Sequence, residues 1–248
     1  MSPLLTGFAF GGSAGTPKAT VTGSTGSPTV DTTSRVGNTI YKFTGSGTIT
    51  VGVGGTCEYL VIGGGNDSGA GGYIYNTSAN LPAGTLTVTI GAGASSYTGN
   101  ATRLGDVVGL AGGYHMFNVS GTYYTLNGGS AGGGSQTSGA TMTAALSGAQ
   151  GNNGGSGITG SMGPPAYGGG GGAGGAGVSA VSLALGGGNG GAGATNSITG
   201  TSTTYAAGGG GYGGASSGTP NTAGAANTGS GGGAANAGGS GFVVVVIG

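Results

Sequence analysis

Cys57-Glu58-Tyr59-Leu60-Val61-Ile62-Gly63-Gly64-Gly65 passes from an apolar, strand-like run straight into glycine. Three other runs share the strand texture. Thr39-Ile40-Tyr41-Lys42-Phe43 and Thr48-Ile49-Thr50-Val51 flank Thr44-Gly45-Ser46-Gly47 and read together as a hairpin. Thr85-Leu86-Thr87-Val88-Thr89-Ile90 alternates before Gly91-Ala92-Gly93. The run Phe242-Val243-Val244-Val245-Val246-Ile247 is continuously apolar, as a strand buried on both faces requires. No segment carries a helical period with caps. Between residues 90 and 242 lie glycine-rich blocks at 109–113, 128–134, 151–157, 168–177, 186–193, 208–214 and 229–241, separated by polar or aromatic inserts. That rhythm belongs to rods joined by loops, not to one flexible linker.

Glycine accounts for 71 of 248 residues, and the chain holds only four acidic and four basic side chains. After Asp106 it uses no Asp, Glu, Lys or Arg at all. Disordered chains usually stay soluble through high net charge, which is missing here, so ordered glycine has to be explained. Polyglycine can adopt the extended helix of the polyproline II type, with three residues per turn and no internal hydrogen bonds. Without side chains, such rods pack side by side and satisfy their N–H and C=O groups on neighbours, with Cα–H···O contacts of about 0.5–1 kcal/mol each in support. Ordering each residue costs about 1–2 kcal/mol of backbone entropy, so only a dense, fully satisfied lattice can hold. Collagen is set aside because the blocks lack a strict G-X-Y period and the chain has 7 prolines. The expected fold class is therefore β-rich with packed polyglycine-II-type helices and little or no α-helix. Framing strands are placed near residues 39–51, 57–62, 85–90 and 242–247.

Two regions are expected. Residues 1–37, rich in Thr, Ser, Gly and Pro, form an extended mounting segment with an apolar cluster at Leu4, Leu5, Phe8 and Phe10; residues 38–248 form the glycine-rich domain. The first residues have neither a basic flank nor an apolar run suited to a secretory leader, and residues 242–247 are too few to span a bilayer. The single cysteine, Cys57, excludes an intrachain disulfide and reads as a buried small hydrophobe. Lys18, Arg35, Lys42 and Arg103 are scattered, which argues against nucleic-acid binding.

The order of these elements resembles the glycine-rich domain of bacteriophage tail-fibre and receptor-binding (adhesin) proteins. The residues that carry the likeness are Tyr41 to Val51, Glu58 to Gly65, Val88 to Gly93, Gly168 to Gly175 and Gly239 to Ile247. It covers residues 38–248, and the chain departs from it where Asn66-Asp67-Ser68 interrupts the glycine run. The resemblance implies polyglycine-type helices stacked in layers, with variable loops at one end that contact the host.

Motifs of ionic chemistry are absent or incidental. Ile62-Gly63-Gly64-Gly65 follows a strand as a dinucleotide turn would, but Ser68 stands where the third glycine belongs and no ribose-binding acid follows. A phosphate loop needs a lysine, and none occurs after Lys42. G-x-S-x-G occurs at residues 11–15 and 128–132, as a Gly- and Ser-rich chain produces by chance. A triad would have to use His115, the one histidine, with Asp31, Glu58, Asp67 or Asp106. A glycosidase pair would have to come from the same acids, and Glu58 reads instead as an exposed or hydrogen-bonded strand residue. No metal-ligand spacing is present. The expectation is a protein with no enzymatic activity, cofactor or metal.

The aromatic insert Tyr114-His115-Met116-Phe117-Asn118, followed by Tyr123 and Tyr124, offers rings that could stack on sugars or pack on a surface protein. A small hairpin turning at Val119-Ser120-Gly121-Thr122, with its rings covering the glycine rods, is compatible with that use. The receptor-binding candidates are Tyr114, His115, Phe117, Tyr123 and Tyr124, with Tyr167 and Tyr205 beside later glycine blocks. The expected function is a phage virion adhesin at a tail fibre or tail tip, made in the host cytoplasm without a signal peptide. Its partners would be other virion proteins, reached through the mounting segment, and a host surface protein or glycan; assembly as a homo-oligomer such as a trimer is left open. The alternative is a purely structural fibre or head-decoration protein.

Overall fold

The computed structural model describes residues 16–95, 100–114, 117–119, 122–124, 128–134, 150–158, 166–181, 186–213, 218–233 and 236–248. The protein is β-rich, with no helix among these residues. The strands are β1 (Val21–Thr25), β2 (Thr29–Asp31), β3 (Thr39–Phe43), β4 (Gly47–Val51), β5 (Gly55–Ile62), β6 (Tyr73–Leu81) and β7 (Gly84–Thr89). They continue with β8 (Thr102–Leu104), β9 (Val107–Gly109), β10 (Phe117–Val119), β11 (Thr122–Tyr124), β12 (Ala194–Asn196), β13 (Thr203–Tyr205) and β14 (Phe242–Ile247). Two five-stranded antiparallel sheets run in the order β2-β3-β14-β5-β6 and β1-β4-β7-β8-β9, and β10-β11 and β12-β13 form two-stranded ribbons.

The apolar run of β14 is explained by its position at the centre of the first sheet, between β3 and β5. Val243 and Val245 point into the core shared with the second sheet, packing with Phe43, Val61, Ile49 and Val88. Phe242, Val244 and Val246 point the other way, onto Ile40, Leu60, Ile62, Ile198, Tyr205 and Ala206. Both faces are thus buried.

Two expectations about the first residues are corrected. β3 and β4 do not pair as a hairpin; they belong to different sheets, with β3 between β2 and β14 and β4 between β1 and β7. The reason lies in their burial. Ile40 and Phe43 bury both faces of β3, whereas β4 buries one face through Ile49 and Val51, so the two are not equivalent arms of one ribbon. The proposed boundary at residue 37 is likewise not structural, because β1 and β2 lie within the span assigned to the mounting segment and supply an edge strand to each sheet. Lys42 Nζ reaches the Asp31 carboxylate at 3.0 Å to secure β2 on β3. Leu4, Leu5, Phe8 and Phe10 lie outside the described residues.

Cys57 sits in the core between the sheets, 6% exposed, and burial beside Glu58 pushes its thiol up to about 11. We expect it to resist thiol-specific reagents at neutral pH in the folded protein and to react once the chain is unfolded in guanidinium, measured by colorimetric thiol titration. Rapid labelling of the native protein would contradict that packing.

The glycine segment 168–173 follows a three-residue rule. Along residues 168–173, the N–H groups of Gly168 and Gly171 donate to the carbonyls of Gly134 and Ala131, those of Gly169 and Gly172 to Val178 and Gly175, and those of Gly170 and Ala173 to Gly209 and Ala206. Donors three apart therefore meet the same neighbour. The carbonyls turn to other segments: Tyr167 and Gly170 accept from Gly188 and Gly191, Gly169 from Gly155, Gly171 from Ala70, and Gly172 from Asn152 Nδ2. One segment is thus bonded to six others. Its N–H groups are all satisfied without any strand ladder. A Cβ on Gly170 would lie 2.0 Å from the Ser68 carbonyl oxygen, which is why this position excludes a side chain.

Asn66-Asp67-Ser68, read from sequence as an interruption, is a buried turn inside this lattice. The three residues are 1%, 1% and 3% exposed. Asn66 N–H donates to Gly69 C=O, reversing the chain, while Ser68 C=O accepts from Gly209 N–H and Ser68 Oγ from Gly133 N–H.

Candidate functional site

Hydrogen-bond register gives each glycine segment a direction relative to the sheets. The chain leaves β5 along residues 63–66 and returns along 69–72 into β6. Gly72 N–H donates to Leu110 and Gly69 N–H to Gly113, so residues 110–113 lead away from β9. Residues 166–173 then run back towards the sheets, 175–181 outward, 186–193 back into β12, 206–213 outward from β13, and 236–241 back into β14. The chain therefore reverses repeatedly at the end of the lattice opposite the sheets.

Two tyrosines meet at that far end. Tyr167 N–H donates to Tyr212 C=O at 2.8 Å, and their rings lie 6.0 Å apart at an interplanar angle of 44°. Gly188 N–H donates to Tyr167 C=O and Gly211 N–H to Gly188 C=O, which ties both tyrosines to the 186–193 segment. Val178 joins the same register, donating to Asn189 C=O and accepting from Gly169 N–H. Val181 follows three residues later and so, by the period of the lattice, lies on the same side. Tyr212, Val178 and Val181 are 49%, 50% and 71% exposed, and Tyr167 is half-buried. Asn189 Oδ1 accepts from both the N–H and the hydroxyl of Thr219, fixing the next returning segment beside them.

The sequence-derived candidates divide. Tyr167 belongs to this end. Tyr205 does not: on β13 it is 3% exposed, and it stacks on Phe242 at 6.1 Å with an interplanar angle of 18°. It is a core residue, and this corrects its assignment to a loop tip; the ring fills the outer face of β14, which sequence spacing could not reveal. Tyr114 is half-buried where the 110–113 segment ends. Phe117, Tyr123 and Tyr124 lie on the β10-β11 ribbon, with Phe117 opposite Tyr124 and Asn118 opposite Tyr123, in keeping with the hairpin reading. His115 lies outside the described residues. Sequence reasoning passed over Tyr212, Val178 and Val181. A signal for Tyr212 was present, since it directly follows Gly208 to Gly211 just as Tyr167 directly precedes Gly168 to Gly172.

The acids are held elsewhere. Asp31 accepts from the Ser34 hydroxyl, the N–H groups of Ser34 and Thr33, and Lys42, which together hold its carboxyl far below the usual range. Glu58 accepts from Arg35 Nη1 at 2.6 Å and from the Tyr75 hydroxyl at 2.6 Å. Burial, and then the Glu58 carboxylate, push the Tyr75 phenol up to about 12, so it stays a donor to Glu58 at neutral pH. Among the described residues, no group of three or more His, Cys, Asp or Glu is placed to hold a metal ion, and no helix is long and apolar enough to cross a membrane. The far end of the lattice thus offers rings, branched aliphatic side chains, hydroxyls and peptide groups. Compared with protein-family models, curated proteins and solved structures, the chain matches none.

Proposed function

We propose that this chain is a bacteriophage virion protein, an adhesin of the tail fibre or tail tip, whose glycine segments are polyglycine-II-type helices. The observation that carries the reading is the Tyr167–Tyr212 ring pair at the end where the glycine segments reverse, with Val178 and Val181 exposed on an adjoining segment. The three-residue hydrogen-bond period supports the helix type. A host surface protein or glycan would be bound noncovalently, through ring stacking and burial of apolar area, with little salt dependence. Other virion proteins would be engaged through the N-terminal residues. No enzymatic step and no nucleic-acid contact are assigned: Arg35 and Lys42 are spent in ion pairs, and Asp31 and Glu58 with them.

The test is binding of fluorescently labelled protein to intact candidate host cells, in competition with phage adsorption. Saturable binding that blocks adsorption is expected. Combined replacement of Tyr167 and Tyr212 by Ala should weaken it at least about tenfold, since aromatic anchors at interface centres each contribute about 2 kcal/mol or more and tenfold is about 1.4 kcal/mol. The melting temperature should stay close to that of the parent, because Tyr212 is half exposed. Folded protein that binds no susceptible cell would overturn the adhesin reading in favour of a purely structural virion role.

A further inference from the structure

The open margin of the two-sheet sandwich carries a second site, far from the glycine reversals. A cavity of about 380 Å³ lies there between β6 and the β7-β8-β9 side of the second sheet. Its floor is apolar and aromatic, formed by Tyr59, Leu86 and Leu104, all of which pack in the inter-sheet core. Its rim is polar, with Asn76 and Asn80 from β6 and Asp106 from the β8-β9 turn. An apolar floor with a few convergent polar groups is the usual make-up of a small-molecule site, and the volume falls within the usual range of about 300–1,000 Å³.

The backbone of β6 is shaped to bring this rim inward. Tyr59 lies opposite Asn76 and Cys57 opposite Ala79, so two steps along β5 span three steps along β6. In a regular strand Asn76 and Ala79, an odd number apart, would point to opposite faces. The bulge places both on the inner face, Ala79 in the core and Asn76 beside Tyr59 in the cavity. Ser78 N–H donates to Asn76 Oδ1 at 2.9 Å, which pins the bulge and fixes the amide. Bulges that re-aim a side chain at a site are a recurrent device.

We infer that this cavity binds an uncharged saccharide unit. The Tyr59 ring and the Leu86 side chain match the C–H face of a pyranose. The Asn76 carboxamide, donor and acceptor, and the Asp106 carboxylate acceptor match its hydroxyls. Neither Lys nor Arg lines the cavity, so phosphate, sulfate and acidic sugars are disfavoured. Asp106 takes no part in either ion pair and is exposed, leaving its oxygens to accept from sugar hydroxyls. This site does not involve Tyr167 or Tyr212 and stands or falls apart from the adhesive role of the far end.

Saturation-transfer NMR on the full chain tests it, with the methyl glycosides of glucose, galactose, mannose and N-acetylglucosamine as probes and spermidine as a cationic control. The expected result is saturation of ring C–H protons for at least one glycoside. Asn76→Ala and Asp106→Asn should each weaken its binding at least fivefold, the latter without changing the melting temperature. Leu86→Ala provides a second reading should the bulge collapse in the Asn76 variant, by reducing transfer to the C–H face. Absence of transfer from all four glycosides, binding insensitive to Asp106→Asn, or binding of spermidine in their place would overturn the assignment. Cell binding by the Asp106→Asn protein should match the parent if the far end alone holds the host receptor.

Discussion

Gly170→Ala should destabilise the protein by about 3 kcal/mol or more, although it adds a single methyl group. The added carbon would lie 2.0 Å from the Ser68 carbonyl oxygen and 2.2 Å from its carbon, and both are backbone atoms. Neither can swing aside as the tip of a flexible side chain could. The Ser68 carbonyl is also the acceptor for Gly209 N–H, so moving it breaks a buried hydrogen bond on a third segment. Overpacking a dense interior costs about 1–3 kcal/mol, and an unsatisfied buried peptide group about 1–3 kcal/mol more. Gly175→Ala is the matched control. Its nearest neighbours to an added Cβ are 3.6 and 3.7 Å away, an ordinary contact distance, so it should melt within a few degrees of the parent. Denaturant titration of the two variants separates them, and equal stability would show that the lattice yields where its geometry says it is rigid.

Removal of residues 242–248 should abolish folding altogether. Five consecutive side chains, Phe242 to Val246, are buried in the intact chain, alternately on the two faces of the first sheet. Burying each is worth roughly 1.5–3 kcal/mol, so their loss amounts to about 7–15 kcal/mol against a typical whole-domain stability of about 5–15 kcal/mol. β3 and β5 would also lose their common partner, leaving two unpaired edges across the middle of the sheet. The shortened chain should be insoluble or lack a cooperative thermal transition. A soluble product that melts cooperatively would mean that the glycine lattice alone organises the fold.

How much of this was legible in the sequence depends on how each residue's surroundings are made. The strands at Thr39–Phe43, Gly55–Ile62 and Phe242–Ile247 could be read because their apolar content reflects burial that each strand carries with it. β6 went unread: its Asn, Thr and Ser residues face solvent or the cavity rim, and its bulge breaks the alternation that would mark it. The separation of β3 from β4 was invisible for another reason. Pairing is decided by partners distant in sequence, and a Thr-Gly-Ser-Gly connection serves a change of sheet as well as a hairpin. At the candidate site, Tyr167 was singled out because it abuts a glycine run, and the same cue brought in Tyr205, which the structure buries. The two differ in which end of a glycine segment they occupy. Tyr167 stands where 166–173 begins at the far end, and Tyr205 where 206–213 departs from the sheets. Direction along a glycine segment is set by register with its neighbours and leaves no mark in composition.

The rule that donors three apart share a neighbour gives this part of the chain something like a reading frame. On the proposed polyglycine-II reading, inserting three residues into 168–173 would lengthen it by one turn and leave its later N–H groups aimed at the segments they already meet. Inserting one or two would rotate all that follows by a third or two thirds of a turn, and each downstream donor would face the wrong segment. Within such a segment a change in length must therefore come in threes, and this holds for the segment that begins at Tyr167. The phase of the interior is what any change within a glycine segment has to keep.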